Sequence, residues 1–173
     1  MNNKVDFLPI NIAIVTISDT RDLDNDKSGD VLAQRIEHSG HNIIARKIVK
    51  DDFKQITQLF QSLINNEKID VVISTGGTGL TGRDITPEVM KTLFEKSIDG
   101  FGEMFRWLSY SKIGTSALQS RALAGVTNGT YIFCLPGSPS ACKDGWDDIL
   151  VHQLDIRHKP CNFVEIMPRL QEH

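Results

Sequence analysis

No apolar run in these 173 residues approaches the ~18 that a membrane-spanning helix requires. Residues 1–9 are mixed polar and lack the apolar stretch of a secretory signal, so a cytoplasmic protein with no membrane partner is expected. Cysteine is scarce. Cys134, Cys142 and Cys161 form no CxxC pair and no metal-ligand spacing, which favours reduced, buried thiols over a disulfide framework. Positive charge is not in excess: 19 Lys and Arg stand against 22 Asp and Glu, a net charge of −3, so no basic surface for nucleic acid is implied. His38, His41, His152, His158 and His173 share no zinc-binding spacing, and no GxSxG elbow is present. Internal repeats and low-complexity tracts are missing too.

What remains is the composition of an ordinary folded domain, 40% hydrophobic and 24% charged, at a length that suits one domain over residues 1–173. Residues 10–17 (INIAIVTI) are short, apolar and β-branched, as a buried parallel strand requires. A polar loop with four aspartates follows, then a helix that Ser28 can cap and Gly40 can stop. Residues 41–49 read as a second strand. Asp51 or Asp52 caps the next helix, on which Phe53, Ile56, Phe60, Leu63 and Ile64 recur at helical spacing. Residues 69–74 (IDVVIS) form a third strand. This alternation predicts an α/β fold of three layers, a mostly parallel sheet with helices on both faces. Thr86-Pro87 marks a helix start, the threonine hydroxyl capping and the proline in the first turn, with the helix running over 87–96; another is expected over 104–110, while 115–121 is ambiguous. Asn128-Gly129 carries the chemistry of a tight hairpin between strands 123–127 and 130–135. A last helix is expected over 141–154, followed by a peripheral tail.

The sharpest chemical signal is residues 75–84 (TGGTGLTGRD), directly after the third strand. Gly76, Gly77, Gly79 and Gly82 let the main chain approach a ligand closely. Backbone N–H groups of such a loop, running into a helix N-terminus, favour an anion. In an open parallel sheet, ligands bind beyond the carboxyl ends of the strands, where this loop lies. The plain alternative is a tight turn, but four glycines and three threonines in ten residues exceed what a turn needs. A P-loop is excluded because Arg83-Asp84 replaces Lys-Ser/Thr, and a dinucleotide fingerprint because no first-strand glycine turn exists.

Asp84 closes this loop, and an acid beside a bound phosphate calls for a cation such as Mg²⁺ between them; its other reading is service to the helix start. Asp51, at the end of the second strand, reads equally as a helix cap or as a second acid on the same sheet edge. A second loop, residues 136–140 (PGSPS), could hold a phosphate or a pterin-like ring, or be a turn set by proline. Asp22, Asp24 and Asp26 imitate a calcium loop, but Lys27 stands where glycine is obligatory and Ala33 where the bidentate acid belongs.

At TGGTGLTGRDITPE (75–88) and LPGSP (135–139) the sequence resembles the MoaB/MogA family of molybdenum cofactor biosynthesis proteins, over nearly the whole chain. Residues 100–110 (GFGEMFRWLSY), 113–125 (IGTSALQSRALAG) and 157–163 (RHKPCNF) resemble its MoaB branch. The resemblance implies a molybdopterin-binding fold that assembles as a homo-oligomer, a trimer or a hexamer. It also implies transfer of AMP from Mg-ATP to the terminal phosphate of molybdopterin, ahead of molybdate insertion. By position, Asp51 and Asp84 match the family's two functional carboxylates and the Mg²⁺ site. Thr75, Gly76, Gly77, Thr78 and Gly79 match its ligand loop, Gly137 and Ser138 its second loop, and Ser18 a serine lining the pocket. The rival expectation is a binding protein that carries molybdopterin without catalysis. Phe101, Phe105, Trp107 and Leu108, gathered in one short segment, point to a subunit contact.

Overall fold

A computed structural model describes residues 5–172; of the start read for a signal, residues 1–4 lie outside the described residues, as does residue 173. In β1 (Asn11–Ile17), Ile12 and Ile14 face one way and Ala13, Val15 and Ile17 the other, and all five are buried. Such burial on both faces is why these strands read as continuous apolar runs. β2 (Asn42–Val49), β3 (Val71–Thr75), β4 (Lys96–Ser97), β5 (Leu123–Thr127) and β6 (Thr130–Leu135) join β1 in a six-stranded sheet of order β2-β1-β3-β6-β5-β4. The first four positions are parallel, and β5 (Leu123–Thr127) runs antiparallel to β6 across the Asn128-Gly129 turn, where both residues have positive φ (47° and 76°).

Two apolar layers cover the sheet. Leu32 and Ile36 of α1 (Lys27–His38), Phe101 and Phe105 of α4 (Asp99–Ile113), and Trp146 pack on one face. Ile56, Phe60 and Leu63 of α2 (Phe53–Ile64), with Val89 and Met90 of α3 (Thr86–Leu93), pack on the other. The expected three-layer α/β architecture is the one observed.

Local differences from the sequence reading have physical reasons. Ser28 does not cap α1; Asp26 does, its carboxylate accepting the Gly29 N–H at 3.0 Å, and Ser28 lies inside the helix. Thr86 does not cap α3 either: its hydroxyl donates to the Gly76 carbonyl (3.0 Å), and α3 has no side-chain cap. α3 stops at Leu93 because Lys96–Ser97 forms β4, an edge strand of two exposed residues, too short for any periodic signal. The last helix starts earlier, as α5 (Pro139–Gly145), and continues through a wide π-turn (Trp146–Leu150) into α6 (Val151–Gln153). The tail is not merely peripheral: α7 (Phe163–Ile166) buries Val164, and the Tyr131 hydroxyl donates to the Phe163 carbonyl at 3.1 Å. Cys134 and Cys142 are buried as expected, but Cys161 is exposed.

Candidate functional site

Parallel pairing aligns the carboxyl ends of four strands. Ile17 lies opposite Val49, Thr16 opposite Thr75, and Thr75 opposite Leu135. The loops that leave these ends therefore rise from one edge, and because β2 and β3 lie on opposite sides of β1, the chain's direction of progress reverses there, the position at which open α/β sheets bind ligands. A cavity of about 600 Å³ opens at that edge. Ser18, Asp51, Thr75, Gly76, Gly77, Thr78, Gly79, Asp84, Gly137 and Ser138 all line it, so the ten residues singled out in the sequence converge on one place.

Close packing explains the glycines. Gly76 and Gly77 have φ of 105° and 65°, and a Cβ on Gly76 would overlap the Ile17 carbonyl. A Cβ on Gly77 would lie 2.9 Å from the Asp51 carboxylate, and one on Gly79 would lie 2.7 Å from that of Asp84. Each acid thus rests directly against a glycine of the loop. The second loop comes as near: a Cβ on Gly137 would lie 3.2 Å from the Gly76 Cα. Ser138 caps α5, accepting the Ala141 N–H at 3.2 Å.

The two acids differ in their surroundings. Asp52, not Asp51, caps α2, its carboxylate accepting the Gln55 N–H at 2.8 Å, which leaves the Asp51 side chain with no protein donor among the described residues. Burial pushes the Asp51 carboxyl above its ordinary value, the charges of Asp19 and Asp84 push the same way, and Arg83 opposes them. Burial acts on Asp84 as well, but hydrogen bonds from the Thr81 hydroxyl (2.6 Å) and N–H (2.8 Å), with the Gly79 amide and the Arg121 charge, hold it below the ordinary carboxylate value. Asp84 therefore serves its own loop, not the helix start. Ser18 accepts the Thr20 N–H at 3.3 Å.

The molybdopterin-binding domain model described as "Probable molybdopterin binding domain" matches residues 13–156. The chain belongs to that family. Molybdenum cofactor biosynthesis protein B of Escherichia coli (strain K12) is 46% identical over 160 residues, covering 92% of this chain and 94% of the relative. The protein of the same name from Staphylococcus epidermidis is 49% identical over 139 residues, covering 78% and 79%. A crystal structure of molybdenum cofactor biosynthesis protein B superimposes with a TM-score of 0.83 at 40% identity, covering 85% of this chain and 92% of the other. This member of the molybdopterin-binding family thus has the fold and the role in molybdenum cofactor biosynthesis that its motifs imply, and no helix among its described residues is long and apolar enough to cross a membrane.

Several charged residues at the family's ligand edge escaped the sequence reading. Arg21 lines the cavity and donates to the Ser28 hydroxyl (3.0 Å) and the Gly137 carbonyl (3.3 Å). Asp19 pairs with Arg83 at 2.8 Å and accepts the Asp51 N–H at 3.2 Å. Lys112 of α4 reaches Asp144 of α5 at 2.6 Å across the cavity wall. Arg121, in the segment left ambiguous, bonds the glycine loop from outside. None was singled out as a site residue, because each matters through a partner distant in sequence.

Proposed function

We propose that this protein transfers AMP from Mg-ATP to the terminal phosphate of molybdopterin. The observation that supports this is one cavity in which two carboxylates rest against a glycine-rich anion loop and a second hydroxyl-bearing loop. A phosphate oxygen of molybdopterin forms the new bond to the α-phosphorus of ATP, the α–β anhydride bond breaks, and pyrophosphate leaves. The acceptor phosphate is ionised near neutral pH, so no residue need remove a proton. Catalysis then rests on alignment and on balancing charge between two polyanions. The glycine-loop amides orient the acceptor, Ser138 and Gly137 close on it from β6, and Arg21 adds positive charge beside that second loop.

Magnesium suits the donors present. Asp51 has uncommitted oxygens and a raised proton affinity, the property of a carboxylate short of positive charge. Asp84 keeps one oxygen outside its Thr81 bonds. Asp51 and Asp84 would hold magnesium, which would supply positive charge to offset that of the triphosphate and the departing pyrophosphate. Incubation of the purified protein with molybdopterin and Mg-ATP should release pyrophosphate and form an adenylylated pterin. Tight molybdopterin binding with no pyrophosphate would establish the carrier reading instead, which the engagement of Asp84 within its own loop favours.

Assembly belongs to the same proposal, with a corrected surface. Phe101 and Phe105 are 4% and 3% exposed and belong to the core, and Leu108 packs partly against it. The apolar stripe that α4 presents is Met104, Trp107, Tyr110 and Ile113, spaced three apart and 50–74% exposed. We assign this stripe to contacts between copies in a trimer or hexamer. Sedimentation equilibrium should give a multiple of 19.3 kDa that Trp107→Glu lowers; a wild-type mass of 19.3 kDa would remove the assignment.

A further inference from the structure

Arg121 holds the outer side of the glycine loop with its whole length. Its backbone N–H donates to the Thr78 carbonyl (3.2 Å), its Nε to the Gly79 carbonyl (2.7 Å), and one terminal nitrogen to the Asp84 carbonyl (2.6 Å). Its other terminal nitrogen pairs with Glu88 in the first turn of α3. The side chain is 27% exposed, so these bonds form largely out of water. α3 has no side-chain cap, and the Arg121 fork adds to the Thr86 bonds to Gly76 and Gly77 in tying the loop to the start of that helix.

The peptide unit is planar and trans, so its N–H and C=O point in opposite directions. A donor that takes the Thr78 and Gly79 carbonyls on one side therefore turns the Gly79 and Leu80 amides to the other. The Gly79 amide is one of the groups that hold the Asp84 carboxylate. We infer that Arg121 is a positioning residue for the site: by clamping three carbonyls it fixes the peptide planes that aim Asp84 and the loop amides into the cavity. Its reach extends further, since Gln119 and Ser120, immediately before it in the chain, line the same cavity. Arginine is required because two carbonyls and a carboxylate demand a planar fork from the side chain, which the point charge of lysine does not supply.

The kinetic part of the test rests on the adenylylation proposed above. Arg121→Gln should lower kcat about 30-fold while KM for Mg-ATP and for molybdopterin moves by less than about threefold, since a misplaced catalytic group costs turnover more than binding. Arg121→Lys should not recover the loss, whereas added guanidinium should partly restore Arg121→Ala. A folded Arg121→Gln protein with kcat within about twofold of wild type, or full recovery with Arg121→Lys, overturns the inference. Amide hydrogen exchange reads the clamp without any turnover. In Arg121→Gln the Gly79 and Thr81 amides should exchange at least about tenfold faster while those of β3 and β6 keep their protection. If wild-type protein makes no adenylylated product, the functional proposal fails, and unchanged Gly79 and Thr81 exchange would separately defeat the clamp.

Discussion

Asp51 and Asp84 lie on the same edge of the sheet, each against a glycine of one loop, yet they are built in opposite ways. Asp84 accepts two bonds from Thr81, and the Gly79 amide and Arg121 charge add to them, so its charged form is favoured in the folded chain. Asp51 accepts no bond from any described residue and faces two further acids, so burial and repulsion disfavour its charged form. A carboxylate at the end of a strand that neither caps the helix behind it nor finds a donor is a cost to the fold. Asp84 contributes to the loop's own order, whereas the demand that Asp51 makes for positive charge is met among the described residues by Arg83 alone, and further by anything bound.

The largest effect that can break this contrast is on AMP transfer. Asp51→Asn and Asp84→Asn should each lower turnover about 100-fold, the scale on which removal of one electrostatic partner of a reacting group is felt. Full Mg²⁺-dependent activity in Asp84→Asn would end its assignment. The contrast sharpens in the metal dependence. Asp51→Asn should raise the Mg²⁺ concentration for half-maximal rate by about tenfold, the larger of the two shifts, because among the described residues Asp51 meets positive charge from Arg83 alone and so depends most on a bound ion. An equal or larger shift in Asp84→Asn would reverse the order argued from the hydrogen bonds.

The same contrast marks how far the sequence could be read. The succession of strands and helices along the chain and the two-sided core follow from runs such as 10–17 and from the helical spacing of Ile56, Phe60 and Leu63, because burial on both faces leaves a direct trace in composition. Most of the ten residues that line the cavity stood out in the sequence because glycine and acid types gather where strands end, whereas Ser18 was named only through the family resemblance. The choice between Asp51 and Asp52 as the α2 cap was not, since both are acids at the same boundary and only the backbone geometry at Asp52 decides it. Nor was Arg121, whose partners are 33 to 42 residues away, beyond any local period. The apolar face that α4 leaves exposed was only partly legible, since aromatic residues in one helix do not reveal which side of it meets the core until the sheet beneath is known: Trp107 is exposed, as that reading needs. There the buried side proved to be Phe101 and Phe105.

The smallest effect is on stability, where the two acids should differ in sign. For Asp84 the folded carboxyl lies below the ordinary value of 3.8, so its contribution is present above that pH and is lost as pH falls through the folded value. For Asp51 the folded carboxyl lies above 3.8: the folded state holds the proton more tightly than the unfolded chain, and this contribution is full below 3.8 and lost as pH rises through the folded value. At neutral pH, then, Asp84→Asn should lower the unfolding free energy by about 0.5–1 kcal/mol, because asparagine still accepts from Thr81 but without the charge. Asp51→Asn should raise it or leave it level. Urea unfolding repeated near pH 4 should narrow the Asp51→Asn difference, since there the folded Asp51 side chain approaches the neutral state that the amide imitates, whereas the Asp84→Asn difference should persist until pH falls below 3.8. Two variants that shift together at neutral pH would show that Asp51 is as well satisfied by the protein as Asp84, and the distinction between an acid serving its loop and an acid awaiting a ligand would disappear.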